Sequence, residues 1–321
     1  MKHSKELQAK FQRLHKVYFK ETPEALYQPI SYAMESGGKY IRPLLMIFSN
    51  EMFGGKIEDV ITNAYGIELF HNFTLVHDDI MDNSAVRRGK ETVYKKFGLN
   101  SGILSGDFMF ITALQMACKL NGKTSADLFD LISKTAVEIH EGQQMDVDFE
   151  TLERVSEEEY IKMIEFKTAV LLACSLQMGA NIAGASQEDQ KKIYEFGRLL
   201  GIAFQIQDDY LDTFGDNQLG KRIGGDILNN KKTLLFIASL DLGSKEEKTN
   251  LLEWYADKGG EDEEKISSVK SIFESSGAKA YCIQKMKDLI DKSLLNLEAI
   301  ETTRSKSELM DLADLIIQRR N

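Results

Sequence analysis

The sequence predicts an all-α protein. Apolar residues recur mostly at three- and four-residue steps, and few segments show the alternating β-branched residues typical of strands. Prolines occur only at Pro23, Pro29 and Pro43, so the long stretch that follows permits many helices in series. Apolar residues make up 43% of the 321 residues, enough for a sizeable core, and no linker divides the chain. We therefore expect residues 1–321 to form a single domain.

Periodic apolar patterns predict the helices in chain order, and end signals support several of them. Ser156 with Glu159, and Ser305 with Glu308, match the capping box that begins a helix. Gly184 stands where a helix should stop. The predicted helices are Ser4–Lys20, Pro23–Ser36, Ile41–Phe53, Glu58–Met81, Ser105–Lys119, Ser125–Val147, Ser156–Ala183, Glu188–Thr213, Thr233–Asp241, Lys245–Lys258, Glu261–Ser275, Ala278–Leu297 and Ser305–Gln318.

Four glycine-containing loops separate these helices. They are Gly37–Lys39, Asn83–Thr92, Gly98–Gly102 and Gly215–Lys232. The last three are candidates for catalytic or lid segments, because function concentrates on loops that a rigid scaffold holds in place.

Composition excludes several classes of protein. A formal net charge of −10 argues against a broad basic surface that binds nucleic acid. Cys118, Cys174 and Cys282 are widely spaced in apolar contexts, so we expect small buried side chains in a reducing compartment.

Neither the N-terminal segment nor the longest uncharged run indicates a membrane protein. Residues Met1 to Phe19 are charged throughout and lack the apolar core of a signal peptide. The longest uncharged run, Thr168–Gln187, contains polar residues and glycines, so we interpret it as a buried core or subunit-interface helix. We expect a soluble, cytoplasmic protein with no membrane span.

The most informative feature is an acidic motif that occurs twice. Asp78-Asp79-Ile80-Met81-Asp82 and Asp208-Asp209-Tyr210-Leu211-Asp212 both read D-D-x-x-D. Carboxylates four residues apart share one helix face and repel each other, so a cation is expected to neutralise them. Oxygen ligands without histidine or cysteine favour Mg²⁺, with Mn²⁺ as the alternative. Mg²⁺ takes few carboxylates and completes its shell with water and phosphate oxygens, which predicts a phosphorylated ligand; the simpler alternative is a solvated acidic helix end.

Basic residues lie beside glycines in three places. These are Gly37-Gly38-Lys39-Tyr40-Ile41-Arg42-Pro43, Arg87-Arg88-Gly89 and Gly220-Lys221-Arg222. Arginine offers a planar fork for phosphate oxygens and lysine acts as a point charge. Each island alone is ordinary surface charge more often than a site. Together with the acidic motifs they predict two anionic groups, one bridged by metal and one bound directly by arginine and lysine.

These segments resemble a known family in order and spacing. Gly37–Pro43, Glu68-Leu69-Phe70-His71, Asp78–Gly89, Lys167-Thr168, Phe204–Asp212 and Gly220–Thr233 are similar to the motifs of trans-isoprenyl diphosphate synthases, the polyprenyl synthetase family. The resemblance implies the isoprenoid synthase fold, a single large helical bundle around a central apolar cavity, and a homodimer. It implies head-to-tail condensation of isopentenyl diphosphate with an allylic diphosphate (dimethylallyl, geranyl or farnesyl). The C-terminal part of the chain matches only in helical character.

The resemblance assigns a role to each matching position. The pocket for isopentenyl diphosphate, which needs no metal, would comprise Gly38, Lys39, Arg42, His71 and Arg88. Three Mg²⁺ ions would bind Asp78, Asp82 and Asp208 directly, with Asp79, Asp209, Asp212 and Asp226 as further ligands or as acceptors for metal-bound water. The allylic diphosphate would contact Arg87, Lys167 and Lys221, with Lys231 as a further pocket lysine. The reacting chains would lie beside Phe204 and Gln205, and the cation would be stabilised by oxygens of Thr168, Gln205 and the Lys167 carbonyl.

Product length depends on the helix that precedes the first motif. Helical geometry aligns Thr74 with Asp78, four residues on, whereas the family resemblance points to Phe73 as the floor of the product tunnel. Phe73 beside the small Thr74 resembles short-chain synthases that make a C20 product, geranylgeranyl diphosphate. Farnesyl diphosphate, C15, is the alternative, and Phe73 as a plain core residue is the simplest one.

Other classes of protein fit less well. A class I terpene cyclase also uses an acidic motif with Mg²⁺ but needs no second diphosphate pocket. A regulatory subunit would carry damaged motifs, and an EF-hand module would place its ligands in a loop. The tail with Arg319 and Arg320 either folds over the isopentenyl pocket or lies free in solvent.

Overall fold

The computed structural model describes residues 4–20, 22–215, 223–256, 262–302, 304 and 306–317. Regular structure in these residues is almost entirely helical, which confirms the all-α prediction. The helices are α1 (Ser4–Tyr18), α2 (Glu24–Glu35), α3 (Ile41–Met52), α4 (Ile57–Met81), α5 (Val93–Phe97), α6 (Leu99–Ala117), α7 (Ala126–Phe149), α8 (Glu157–Ile164), α9 (Val170–Ile182), α10 (Gln187–Phe214), α11 (Gly225–Leu228), α12 (Leu234–Leu242), α13 (Lys245–Ala256), α14 (Asp262–Ser275), α15 (Ala278–Glu298) and α16 (Ser307–Ile317). Short antiparallel pairs join β1 (Val86–Arg87) to β2 (Lys90–Glu91), and β3 (Lys119–Leu120) to β4 (Lys123–Thr124).

The chain forms two compact units. The first comprises Met1–Lys134, Cys174–Lys191 and Thr302–Leu309, and the second comprises Thr135–Ala173, Lys192–Glu301 and Met310–Asn321. The first acidic motif belongs to the first unit and the second motif to the second unit.

Helix α4 is the centre of the first unit. Its side chains are buried without interruption from Asn63 to Phe70, as expected of a helix that is apolar on nearly all sides. It packs against α3 and α6. A Cβ atom on Gly66 would lie 2.7 Å from the backbone nitrogen of Ala117, so only glycine permits this close approach of α4 to α6. The rigid helix delivers the first acidic motif at its C-terminal end.

Helix α1 is fixed to α2 and α4 by one histidine. His15 Nδ1 lies 2.8 Å from the Tyr65 hydroxyl, and its Nε2 lies 2.9 Å from the Ser31 hydroxyl. Phe11, one turn earlier, contacts the rings of Tyr40 and Tyr65 at centroid distances of 5.5 and 5.0 Å. Helix α1 therefore packs directly behind the segment that contains Lys39.

Replacing His15 by asparagine is expected to lower the free energy of unfolding by about 1–3 kcal/mol at pH 7.5. Burial lowers the pKa of His15, against the opposing charge of Glu35, so the unfolded chain binds the proton more readily. The stability contributed by His15 is then complete above its unfolded pKa of about 6.5 and is lost as the pH falls below that value. Urea unfolding of both proteins between pH 5 and 8 measures the difference. A difference that stays constant over this range would contradict the assignment.

The second unit has its own core. Helix α12 packs against α8, α13, α14 and α15, and its residues Leu234 to Ser239 are buried. Tyr160 on α8 and Phe273 on α14 join the same cluster. This core supports the second acidic motif, whose helix contributes the buried Ile202 and Ile206.

Predicted segments differ from the structure at several places. The predicted loop Asn83–Thr92 contains the short strands β1 and β2, and the predicted loop Gly215–Lys232 contains helix α11. Gly98–Gly102 was expected to be a loop, but α6 begins at Leu99, because Gly102 packs closely against the side chains of Ile80 and Tyr94. The single helix predicted over Ser156–Ala183 is interrupted by a π-helical turn at Glu165–Ala169. The capping box of Ser156 and Glu159 is confirmed, whereas Ser305 lies outside the described residues.

The burial predictions are largely confirmed. Cys118, Cys174 and Cys282 are buried free thiols. One described helical stretch, Glu157–Ile182, is long and apolar enough to cross a membrane, but 72% of its apolar window is buried inside the protein. This burial identifies it as a core helix and leaves little of it exposed for a subunit interface.

Candidate active site

The first acidic motif lies at the C-terminal end of α4. Asp78 is half-buried, Asp79 is 4% exposed and Asp82, the C-cap residue, is exposed. Arg87 reaches both of the first two carboxylates: its Nε donates to Asp79 Oδ1 at 2.7 Å and its Nη2 donates to Asp78 Oδ2 at 3.2 Å. Burial raises the pKa of Asp79, and Arg87 opposes that rise. The motif therefore presents the exposed Asp82 and the half-buried Asp78 beside the buried Asp79, and Arg87 pairs with both Asp78 and Asp79.

The β1–β2 hairpin directs two adjacent arginines to different places. Arg88 and Gly89 both have positive φ, 54° and 74°, as a type I′ turn requires. Arg87 pairs with Lys90 in the register of the hairpin and bonds the acidic motif. The guanidinium of Arg88 lies instead beside Gly38, 3.4 Å from the position that a Cβ atom on that glycine would occupy. The two adjacent arginine side chains therefore have different neighbours.

The basic pocket of the first unit contains an acid that sequence reasoning did not single out. Glu68 on α4 is 4% exposed, and its Oε1 lies 3.6 Å from the same position beside Gly38. Burial raises its pKa, whereas Arg42 and Arg88 lower it. Asn72 Nδ2 donates to Glu68 Oε1 at 3.3 Å. The carboxyl group thus stands among the cations predicted to bind a diphosphate.

The other predicted residues of this pocket lie at the start of α3 and on α4. Lys39 is exposed and precedes Tyr40, which adopts a left-handed backbone at the N-cap of α3. Arg42 is in the first turn of α3. Burial and the charges of Arg42 and Arg88 hold the pKa of His71 well below its usual value, so this histidine is neutral near pH 7. A neutral imidazole can donate one hydrogen bond to a phosphate oxygen without adding charge.

The second acidic motif lies near the C-terminal end of α10 and is linked to α8 and the π-helical turn. Tyr160 donates to Asp209 Oδ2 at 2.7 Å, and Gln205 Nε2 donates to Asp209 Oδ1 at 2.9 Å. The Thr168 hydroxyl donates to Gln205 Oε1 at 2.9 Å. This series of hydrogen bonds orients the side-chain amide of Gln205, whose oxygen accepts a hydrogen bond from Thr168. Asp208 and Phe204, on the same helix, are half-buried.

Negative charge accumulates around the second motif. Burial raises the pKa of Asp209 to about 7. Burial and the neighbouring Asp209, Asp212 and Asp208 also raise the pKa of Asp226, against the charge of Lys231. The backbone nitrogen of Asp226 donates to Asp212 Oδ2 at 2.9 Å, which ties the segment after the motif to the motif itself. Carboxylates crowded in this way are stabilised by an added cation.

Two predicted lysines meet on one aspartate. Lys167 Nζ and Lys231 Nζ lie 2.7 and 3.2 Å from Asp146 Oδ2. Burial opposes ionisation of Asp146, but the two lysines lower its pKa. The π-helical turn that carries Lys167 contacts α7 at Gly142, where a Cβ atom would lie 2.4 Å from the Lys167 nitrogen. Local π-helical turns of this kind are frequent at functional sites.

The product-length candidates belong to an aromatic cluster. Phe73 is 4% exposed, and its ring lies 5.3 Å from Phe70, 4.9 Å from Phe110 and 5.1 Å from His77 between centroids. Thr74 is half-buried, and its hydroxyl donates to the His71 carbonyl at 2.8 Å. The bulk next to the first motif is therefore concentrated at Phe73 and the residues that pack on it.

The donor set fits a hard divalent cation. Among the described residues no group of three or more histidine, cysteine or acidic side chains converges on one point. Mg²⁺ does not require such a cage, since one or two carboxylates with water and phosphate oxygens satisfy it. Asp78 with Asp82, and Asp208 with Asp212, supply carboxylates of this kind.

Several predicted residues cannot be placed, and several site residues were not predicted. Lys221, Arg319 and Arg320 lie outside the described residues. Asp146 and Tyr160 lie outside every motif of the sequence analysis. Their only signal in the sequence is a polar group at an otherwise buried helical position. Glu68 begins Glu68-Leu69-Phe70-His71, one of the segments that resemble the family. Nothing in the sequence showed that it would lie near Arg42 and Arg88.

Comparison with known proteins identifies the family. The family profile described as Polyprenyl synthetase matches residues 23–273. The chain is 35% identical to the geranylgeranyl pyrophosphate synthase of Geoglobus acetivorans, over 96% of this chain and 95% of that one. It is 39% identical to the geranylgeranyl diphosphate synthase of Saccharolobus solfataricus, over 95% and 93% of the two chains. A crystal structure of a geranylgeranyl pyrophosphate synthase superimposes with a TM-score of 0.90 at 42% identity, covering 99% of this chain and 98% of that one.

Fold and motifs together define a trans-prenyltransferase that acts on diphosphate substrates. The chain belongs to the polyprenyl synthetase family, whose members depend on a divalent metal.

Proposed function

We propose that the protein condenses isopentenyl diphosphate with allylic diphosphates and releases mainly geranylgeranyl diphosphate, C20. The observation that carries the proposal is the buried aromatic cluster of Phe73, Phe70 and Phe110 next to the first motif, which provides bulk to limit the growing chain. The names of the relatives at 35% and 39% identity support the same product.

The residues of the second unit act on the allylic substrate. Lys167 and Lys231, which both pair with Asp146, provide positive charge for its diphosphate. Asp78 with Asp82, and Asp208 with Asp212, would hold the three expected Mg²⁺ ions, which would neutralise the charge that grows on the departing diphosphate. The Thr168 hydroxyl keeps lone pairs available to stabilise the allylic cation, since it donates its proton to Gln205.

Isopentenyl diphosphate supplies the electrons of the new carbon–carbon bond. Its double bond attacks the allylic cation, and the departed diphosphate accepts the proton that is then lost. No side-chain nucleophile is required. Apolar walls such as Phe204 exclude water that would convert the cation to an alcohol.

The basic pocket of the first unit binds isopentenyl diphosphate without metal. Lys39, Arg42 and Arg88 supply charge, Gly38 permits a close approach of the backbone, and neutral His71 supplies a directional hydrogen bond. Glu68 orients the two arginines in this pocket.

Replacing Glu68 by glutamine is expected to raise the KM for isopentenyl diphosphate about tenfold, because it removes the charge that attracts Arg42 and Arg88. The KM for the allylic substrate should change little. Steady-state kinetics with each substrate varied in turn measures both constants. Glu51, an acid on α3, offers a control as Glu51→Gln. A lower KM for isopentenyl diphosphate would show instead that Glu68 opposes binding.

We also propose that the whole chain functions as one synthase domain and acts as a cytoplasmic homodimer. Helix α6 supports the dimer, since Ile103, Leu104 and Ile111 are 41%, 61% and 53% exposed. Sedimentation velocity distinguishes a dimer from a monomer.

One assay tests the proposed reaction. The protein is incubated with Mg²⁺, radiolabelled isopentenyl diphosphate and dimethylallyl, geranyl or farnesyl diphosphate, and the dephosphorylated products are sized by chromatography. C20 alcohol as the main product supports the proposal, and C15 alcohol would make the protein a farnesyl diphosphate synthase. Cyclic hydrocarbons formed without the isopentenyl substrate would identify a terpene cyclase.

A further inference from the structure

Helix α14, which carries no family motif, contains a buried lysine. Lys265 on α14 is 7% exposed. Its Nζ donates to Asn230 Oδ1 at 2.6 Å and lies 5.6 Å from the centroid of the Tyr255 ring. Lysine is rarely buried without a specific partner, and here one partner, Asn230, belongs to the segment Gly224–Lys232, which comes after the second motif in the sequence.

Asn230 is a turning point of that segment. It follows α11 and adopts a left-handed backbone with φ of 55°, a conformation that asparagine tolerates better than most residues. The next residue, Lys231, donates its backbone N–H to the carbonyl of Asp226 at 2.9 Å and places its ammonium 3.2 Å from Asp146 Oδ2. A shift of Asn230 would therefore displace the acid before it and the lysine after it.

Helix α14 also packs against the start of the same segment. Gly224 has φ of 81°, and a Cβ atom there would lie 2.8 Å from Ile266 Cδ1. Its backbone nitrogen donates to the Asp212 carbonyl at 2.7 Å. The segment is thus held at one end by Ile266 and Asp212 and at the other end by Lys265.

Lys232 adds a second cation to this cluster. Its Nζ donates to the Asn230 carbonyl at 2.9 Å and lies 5.2 Å from the centroid of the Tyr255 ring. Burial and the nearby Lys265 lower the pKa of Lys232. Two ammonium groups in a partly desolvated space repel each other. The contacts of Lys265 must therefore stabilise the folded protein by more than its repulsion with Lys232 destabilises it.

We propose that Lys265 is a positioning residue for the allylic diphosphate site: through Asn230 it fixes the segment that carries Asp226 and Lys231. The inference rests on the proposed function and extends it to helices whose sequence carries no recognisable motif. Lys265 touches neither substrate, so its loss should weaken use of the allylic diphosphate and leave the isopentenyl pocket, which belongs to the first unit, unaffected.

The test compares Lys265→Met with Asn230→Gly. Methionine keeps the unbranched stem of lysine, and glycine accepts the left-handed backbone, so each variant removes one end of the same hydrogen bond. Each is expected to raise the KM for the allylic diphosphate about tenfold, since the bond involves a charged donor, with the KM for isopentenyl diphosphate within about twofold of wild type. The double variant should be no worse than either single variant, because coupled residues are not additive. Lys287→Met, at an exposed lysine on α15, is the matched control.

A binding measurement separates positioning from a general loss of structure. Isothermal titration calorimetry with inorganic pyrophosphate and Mg²⁺ should show about tenfold weaker binding by Lys265→Met, and Lys265→Arg should restore part of it. Unchanged affinity in a folded variant, equal increases in both KM values, or additive effects in the double variant would overturn the inference. If Lys265→Met does not fold, Asn230→Gly gives the same test. A wild-type protein that binds pyrophosphate but forms no prenyl product would overturn the proposed function, whereas the titration would still judge the role of Lys265.

Discussion

Replacing Asp208 by alanine is expected to reduce turnover by about three orders of magnitude or more at saturating substrate and Mg²⁺. Asp208 stands beside Asp209 and one turn before Asp212, and its charge contributes to the raised pKa of both Asp209 and Asp226. Those carboxylates repel one another unless a cation lies among them. A cation held there would stabilise charge that grows only in the transition state, and contributions of this kind are typically the largest in catalysis.

Asp208→Asn refines the same experiment. Asparagine keeps the shape and one oxygen but removes the charge, so it should lose nearly as much activity and should need more Mg²⁺ for half-maximal rate. Asp78→Ala in the first motif should behave like Asp208→Ala. Asp291→Ala, at an exposed acid on α15, should be indistinguishable from wild type. Near-normal activity of Asp208→Ala, with circular dichroism unchanged, would remove the second motif from the metal site.

The residue types of the site could be predicted from sequence because each motif is local. Asp78 is four residues before Asp82, the C-cap residue of the same helix, and Arg87 and Arg88 are adjacent at the start of one hairpin turn, so each pair is close in sequence. Glu68 and Asp146 could not be predicted in the same way. Glu68 meets arginines at positions 42 and 88, and Asp146 meets lysines at positions 167 and 231. Their roles exist only once distant segments are packed together.

The same distinction explains the errors in helix boundaries. The predicted loop at Gly98–Gly102 followed the ordinary rule that clustered glycines break helices. In the structure Gly102 is the contact at which α6 meets Tyr94 and Ile80, so tertiary packing outweighs the local preference. The π-helical turn around Lys167 likewise has no local signal in sequence. It depends on Gly142 of another helix, which leaves room for the Lys167 backbone.

Replacing Phe73 by alanine is expected to shift the main product from C20 to C25 and longer. The substitution removes the aromatic ring that packs between Phe70, Phe110 and His77 and opens space five residues before Asp78. A helix rises about 1.5 Å per residue, so this space lies one to two turns below the motif, where the end of a growing prenyl chain would arrive. The rate with short starters should change little, because no charged group of the site is altered. Chromatography of the dephosphorylated products measures the shift.

Stability measurements distinguish this role from that of an ordinary core residue. If Phe73 only fills the core, its replacement by alanine should cost about 3–5 kcal/mol of unfolding free energy and leave product length unchanged. If its ring ends a tunnel, part of that space is already open to substrate, so the cost should be smaller and the products longer. Phe129→Ala, at a phenylalanine that is 46% exposed on α7, controls for loss of an aromatic ring elsewhere. An unchanged product distribution in a folded Phe73→Ala protein would assign the floor to another residue, and Phe110, whose ring lies 4.9 Å from that of Phe73, would be the first to test.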